Sequence, residues 1–357
     1  MPFPSILAHK LTLPVIAAPL FLASGPDLVL ACCRAGIVGT FPAKNQRTLE
    51  GFEAWLVQIR DGLSNIERET GKAAPPFGVN LIAHKTNRTL EQELALCVKH
   101  RVPLIITSLG AVPKLVEAVH GYGGIVFHDV ISVRHARKAA DTGVDGLICV
   151  VAGAGGHTGL ANPFALVNEV RGFFDGTVLL SGALSTGADI AAAQTLGADL
   201  AYLGTRFIAT KECQSDPAYK QMLVDSHLAD IIATPAVSGI NANFMRQSLE
   251  RANIDPTRTE PHHGPIDVDR ELDDALAAEK NSLKPWRDIW SAGQGVGSIA
   301  HIPTVEVLVR TLSDEYHAAI AAQTERLSWL TPPSAVTDTA RLQDHRQEKI
   351  SEGHLKR

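Results

Sequence analysis

Short apolar runs recur eight times in the first 212 residues, nearly all followed by a segment with helical spacing. The runs are Pro14 to Pro19, Gly36 to Thr40, Phe77 to Leu81, Pro103 to Ser108, Gly124 to His128, Val144 to Val151, Thr177 to Ser181 and Leu200 to Leu203. They are continuously apolar rather than alternating, which is what a strand needs when both faces of its sheet are covered. Helices are expected over Asp27 to Arg34, Thr48 to Arg60, Thr89 to His100, Val112 to His120, Ser132 to Thr142, Pro163 to Phe173 and Ala188 to Leu196. In the second of these, Phe52, Trp55, Leu56 and Ile59 fall on one face behind Thr48, a plausible N-cap. Strand and helix alternating with short connections leave a (β/α)8 barrel, also called a TIM barrel, or a doubly wound sheet. Eight repeats favour the barrel.

Beyond residue 212 the rhythm breaks. The expected organisation is a barrel over 1–212, then a small, mainly helical cap inserted after strand eight over 213–290. A return loop and a C-terminal helix packing on the barrel follow over 291–325, and a polar tail over 326–357. Helix-like pieces in the cap run from Ala218 to Ala229 and from Leu272 to Lys280. Between them lies a stretch rich in Pro, His and Asp, from Asp255 to Asp269. The last helix is expected over Thr304 to Gln323.

Charge excludes some functions. With 33 basic and 38 acidic residues the net charge is −5 and no basic stripe is visible, which argues against a nucleic-acid partner. The start, Met1–Pro2–Phe3–Pro4, lacks the basic and apolar regions of a signal peptide. No apolar run reaches the roughly 20 residues of a membrane helix. Five cysteines without metal-ligand spacing fit reduced thiols and a cytoplasmic protein. Of the 14 histidines, the pair His262–His263 lies in a Pro/Gly-rich loop, and no ligand spacing supports a metal.

In a barrel the chemistry sits at the C-terminal ends of the strands. The sixth run ends in Gly153–Ala154–Gly155–Gly156–His157–Thr158–Gly159. Glycines there let the backbone approach a flat or phosphorylated ligand closely, and they deliver one imidazole, His157, as the candidate catalytic base, acid or electrostatic partner. Ser181–Gly182–Ala183 after strand seven and Gly204–Thr205 after strand eight have the small residues of the standard barrel phosphate site. Asn80 offers a donor and an acceptor to the edge of a heterocycle, and His128 ends strand five. No lysine or carboxylate is read at the ends of strands three to eight, which argues against a sugar-phosphate aldolase or isomerase.

Ala154 to Gly159, with Phe77 to Leu81 before it and Gly204–Thr205–Arg206–Phe207–Ile208–Ala209–Thr210 after it, resembles the nitronate monooxygenase (formerly 2-nitropropane dioxygenase) family. Ala17–Ala18–Pro19–Leu20 and Ser291–Ala292–Gly293–Gln294–Gly295 fit the same pattern, and the likeness covers nearly all of residues 10–323. The resemblance implies a TIM barrel with a small cap that binds FMN noncovalently. Ala18 and Pro19 would line the flavin, Asn80 would bind its ring or ribityl chain, and His128, Gly155, Gly156 and Ser181 would belong to the same cofactor site. Gly182, Ala183, Gly204 and Thr205 would hold the phosphate, with Gln294 near the flavin. His157 would orient a nitronate or remove the α-proton of a nitroalkane. The implied reaction oxidises alkyl nitronates with O2 to a carbonyl compound and nitrite by way of a flavin semiquinone. The partners are then a small-molecule nitronate and O2, with a homodimer left open. The alternative is an NAD(P)H-dependent flavin reductase of the same superfamily, of the enoyl-acyl-carrier-protein reductase or quinone reductase type. Three positions depart from the family's habit: Val150 and Gly153 where Gln or Glu is common, Gly182–Ala183 in place of Gly–Gly, and Leu20 in place of Met.

Overall fold

In the computed structural model, which describes residues 3–110, 112–257 and 283–330, eight parallel strands close into a barrel. They are β1 (Val15–Ala17), β2 (Val38–Pro42), β3 (Gly78–Ile82), β4 (Leu104–Ser108), β5 (Ile125–Val130), β6 (Gly146–Val150), β8 (Thr177–Ser181) and β9 (Leu200–Leu203). Closure is made by β9 on β1, in the register Val15 to Ala201, Ile16 to Tyr202 and Ala17 to Leu203. Between successive strands run α1 (Pro26–Arg34), α2 (Leu49–Thr70), α3 (Leu90–Lys99), α4 (Pro113–His120), α5 (Val133–Ala140), α6 (Pro163–Arg171) and α7 (Gly187–Leu196). This is the (β/α)8 architecture that the apolar runs call for.

Successive side chains on a strand point to opposite faces, and both faces are apolar here for different reasons. Ile16, Val38, Leu104, Ile106, Phe127, Ile148, Leu179 and Leu200 fill the barrel interior with Tyr202. Val79, Leu81, Ile105, Val126, Leu147, Cys149 and Val178 face outward against helix residues such as Leu56, Val116, Ala136 and Val167. All five cysteines are buried and free.

The element ends differ from the sequence reading in instructive places. α2 continues to Thr70, ten residues past Arg60, because Ile66 extends its buried stripe. Its N-cap is Thr48, which accepts from the Gly51 N–H, and Gly71 at φ 65° ends it. β2 starts two residues late because Gly36, at φ 89°, is the turn before it. β5 does not stop at His128 but runs on to Val130.

After β9 come a short turn of helix, α8 (Thr205–Ile208), and α9 (Pro217–Asp225). The helix expected to reach Ala229 breaks at Ser226, which is extended, and only a 3-10 turn follows at Leu228–Asp230. Then come strands β10 (Ile231–Thr234) and β11 (Ala242–Met245), and α10 (Arg246–Arg251). The described part of the cap thus adds a pair of strands to its helices. β10 and β11 pair as an antiparallel hairpin, and β11 pairs in turn with β7 (Gly156–His157), the tip of the glycine loop. The final helix, α11 (Val305–Leu327), packs on α7 and α1. The expected helix from Leu272 to Lys280, the His262–His263 pair and the tail from residue 331 lie outside the described residues.

Phe127 is fully buried at the centre of the barrel interior. Phe127→Ala is expected to lower stability by about 3–5 kcal/mol, because the closed strands cannot collapse into the void. Urea denaturation of the two proteins measures the difference.

Candidate functional site

A cavity of about 660 Å³ opens at the C-terminal ends of the strands. The period-two alternation of the interior continues upward from the hydrophobic layer and sets its floor. Above Leu104 and Ile106 comes Ser108, above Phe127 comes Asp129, above Ile148 comes Val150 and above Leu179 comes Ser181. Asn80 is the corresponding residue on β3, and all five line the cavity.

The glycine loop after β6 forms one wall and is tied to three distant segments. The Asn243 amide, fully buried on β11, donates to the carbonyls of Ala152 (2.8 Å) and Ala154 (2.6 Å). The Gly153 carbonyl accepts from the N–H groups of Ala183 (3.0 Å) and Gln294 (2.9 Å). The Thr158 hydroxyl closes the loop on the Val151 carbonyl at 2.6 Å. Close packing makes glycine necessary: a Cβ on Gly155 would lie 2.8 Å from the Gly293 nitrogen. The Gly293 N–H in turn donates to Thr205 Oγ1 at 2.9 Å.

His157 leaves this loop into the cavity wall, with the Trp286 indole edge-on at 4.9 Å between ring centroids. Its Nε2 lies 3.2 Å from Ser238 Oγ. The Ser238 hydroxyl also lies 3.3 Å from the Ile240 carbonyl; with its proton given there, Ser238 accepts from Nε2–H and the imidazole lone pair stands on Nδ1. Burial pushes the imidazole from its ordinary 6.5 down to about 4. The site therefore presents a neutral base at neutral pH.

Eleven of the expected site residues line the cavity as side chain or backbone: Ala18, Pro19, Asn80, Gly155, Gly156, His157, Ser181, Gly182, Ala183, Gly204 and Thr205. The donors they offer differ from the expectation in detail. Ala183 N–H is already given to Gly153, so Ala183 contributes shape. Asn80 Nδ2 donates to Ser108 Oγ (2.8 Å) and to the Ile106 carbonyl (3.3 Å). That carbonyl can only accept, which fixes the amide's orientation and leaves Oδ1 for a ligand. Gly182 at φ 136° and Ala183 at φ 58° both lie in the left-handed region, which explains why Gly–Gly suits this turn.

Two expected residues are placed otherwise. Gln294 is exposed and does not line the cavity, whereas Gly293 and Gly295 on either side of it do. His128 is one step out of phase with the interior. It points into the layer between β4 and α5, where its Nδ1 and Thr107 Oγ1 share a 2.7 Å hydrogen bond, and borders only that edge of the cavity. Burial first, then the nearby His135 and Lys138, hold it near 4 and neutral.

The residue that faces the cavity from β5 is Asp129, a carboxylate at a strand end that the sequence reading did not find. Ending the strand at His128 hid it. Counting by two from the apolar Phe127 would have exposed it. Ser108 Oγ–H donates to Asp129 Oδ2 at 2.6 Å, and burial raises the acid from 3.8 to about 6 against that bond. Lys44, at the top of β2, also borders the cavity. It is almost fully buried and paired with Glu93 at 3.1 Å.

A parallel barrel with its cavity at the strand ends, and small-residue turns after the last two strands, has the layout of a barrel enzyme. Sequence comparison narrows the class. A family model described as nitronate monooxygenase matches residues 5–315, and the chain belongs to that family of oxidoreductases. It is similar to a nitronate monooxygenase of Paraburkholderia phytofirmans, with 27% identity over 344 residues, covering 83% of this chain and 90% of the relative. Among solved structures it resembles FabK from Thermotoga maritima, with a TM-score of 0.73 at 24% identity, covering 90% of this chain and 97% of that one. It resembles nitroalkane oxidase from Streptomyces ansochromogenes equally, with a TM-score of 0.73 at 23% identity, covering 89% and 100%. At these identities both structures speak for the fold.

The Asn243 amide is the tie between β11 and the glycine loop. Asn243→Leu is expected to cost about 2–5 kcal/mol, since it leaves two loop carbonyls without their donor. Amide hydrogen exchange in residues 152–159 should rise well above that in the barrel strands, which separates loosening of the loop from general unfolding.

Proposed function

We propose that the chain binds FMN in this cavity and oxidises alkyl nitronates with O2, giving a carbonyl compound and nitrite, and that it accepts neutral nitroalkanes as a second substrate class. The observation that carries the reading is His157. A neutral imidazole is held by the glycine loop in the wall of a cavity whose floor is polar and whose lining includes the two small-residue turns packed beside that loop. The volume, about 660 Å³, suits a flat cofactor with a small substrate beside it.

The residues fit FMN. Gly204 stands open to the cavity, since a Cβ there would touch only Leu20 at 3.5 Å and Ala18 at 3.8 Å. Together with Gly182 and Thr205 it shapes the place for the phosphate. Asn80 Oδ1 meets a donor on the ring or ribityl chain. FMN, when bound, supplies the electron-accepting ring and the reaction with O2. The protein's part is to orient and to move one proton. His157 Nδ1 takes the α-proton of a neutral nitroalkane, and the Ser238 contact keeps the ring in the tautomer that can do so. Trp286, edge-on to the imidazole, keeps bulk water from that proton.

The first test is the visible spectrum of the purified protein, followed by anaerobic addition of propionate 3-nitronate and, separately, of NADH. Flavin absorption that responds to the nitronate and ignores NADH supports the reading. Bleaching by NADH alone would assign the chain to NAD(P)H-dependent flavin reduction. A protein that takes up no FMN on reconstitution overturns both.

Two variants probe the assignments. His157→Asn is expected to keep FMN and to lower turnover of a neutral nitroalkane by about 10²–10⁴-fold. Gly204→Glu is expected to abolish FMN binding while leaving the thermal midpoint of the apoprotein nearly unchanged, because the new side chain fills the cavity rather than the core. Gly182 is unsuitable for that experiment, since a Cβ there would lie 2.6 Å from Val151 Cγ2 on a backbone at φ 136°.

A further inference from the structure

The cavity floor holds an acid that the reading of His157 does not use. Asn80, Ser108 and Asp129 stand on the neighbouring strands β3, β4 and β5 and form one hydrogen-bonded row. Asn80 Nδ2 donates to Ser108 Oγ, and Ser108 Oγ–H donates to Asp129 Oδ2. All the donors run toward the carboxylate. Its second oxygen, Oδ1, is buried and has no hydrogen-bond partner among the described residues. A buried carboxylate oxygen without a donor disfavours the ionised form, and Oδ1 is the oxygen open to a proton while Oδ2 accepts from Ser108.

We propose that Asp129 is the proton-binding group of the cavity floor, and that its carboxylate takes up one proton at Oδ1 when negative charge is placed in the cavity by a reduced flavin or an anionic substrate. The inference rests on the flavin reading for the identity of that charge, but not for the acid itself. The step balances simply: solvent supplies the proton, the O–H bond forms on Oδ1, and any electrons come from the reductant that reduces the flavin.

On the cavity floor Asp129 is the group that responds near neutrality. Facing it are Ser108 and Asn80 from β4 and β3, Val150 from β6 and Tyr202 from β9. Tyr202 alone among these titrates, and burial, reinforced by Asp129, holds its phenol well above its usual range. His128 lies on the outer face of β5, and His135 and Lys138 of α5 border the cavity at that edge. On the cavity wall Lys44 is paired with Glu93, and His157 stays neutral. Burial brings Asp129 itself to about 6. It is therefore mostly ionised at neutral pH in the resting protein and is poised to bind a proton when added negative charge raises it further.

Two measurements test this. The first uses the protein without cofactor: infrared difference spectra between about pH 5 and about pH 8. The wild type should show a protonated-carboxyl C=O band lost over that interval, and Asp129→Asn should lack it. Asparagine keeps the shape and an oxygen to accept from Ser108. Ser108→Ala should move the midpoint of that band to higher pH by removing the bond that favours the carboxylate. No such band in the wild type overturns the proposal, whatever the flavin result. The second uses the FMN-loaded protein, reduced anaerobically with dithionite at neutral pH in weak buffer with a pH indicator. The wild type should take up more protons than Asp129→Asn, by up to one per flavin. Equal uptake by two proteins that both hold FMN refutes the coupling and leaves the flavin reading intact. Failure of both proteins to hold FMN is a failure of that reading instead.

Discussion

In a closed barrel the alternation of side chains along each strand is the constraint on which everything else rests. The interior has room for one residue in two along each strand. Here Phe127, Ile106 and Ile148 fill the dry layer. The next interior positions up are therefore Asp129, Ser108 and Val150. A shift of one residue would bring His128 into the cavity and send Asp129 out among the helices. The chemistry of the floor thus follows from the packing of the layer below it.

The wall of the cavity has a different origin. A loop with four glycines between residues 153 and 159 has no intrinsic shape. It takes one because partners from far along the chain satisfy its backbone: the buried Asn243 amide at the carbonyls of Ala152 and Ala154, and the N–H groups of Ala183 and Gln294 at the Gly153 carbonyl. The tip is then drawn into a small sheet with β11, which fixes where the imidazole of His157 leaves the chain. Within the described residues the cap does more than cover the site. It supplies hydrogen bonds that help give the glycine loop its conformation.

Electrostatically the cavity pairs two groups displaced in opposite ways by the same cause. Burial lowers His157 to about 4 and raises Asp129 to about 6, because in each case it disfavours the charged form. The imidazole is left as a neutral base and the carboxyl as an acid that titrates close to neutrality. Environments that separate two titratable groups in this way are the usual mark of an acid–base site. The small-residue turns beside the glycine loop contribute shape rather than charge.

The sequence by itself determined the barrel, since eight apolar runs between helical segments have few other ways to bury both faces of a sheet. It also determined where His157 and the small residues Gly182, Ala183, Gly204 and Thr205 fall, because each follows such a run, whereas Asn80 stands inside β3, two residues before its end. Phase and long-range partners were decided only by the tertiary structure. Strand five could be read as ending at His128 because the polar pair His128–Asp129 looks like a strand end; in the folded chain the ladder to β6 continues to Val130 and turns Asp129 inward. Gln294 sits within the family-like motif yet points to solvent, because its backbone N–H, not its side chain, binds the loop. Asn243 carries no local signal at all. Its importance comes from two carbonyls about ninety residues earlier, and only closure of the cap on the barrel brings them within its reach.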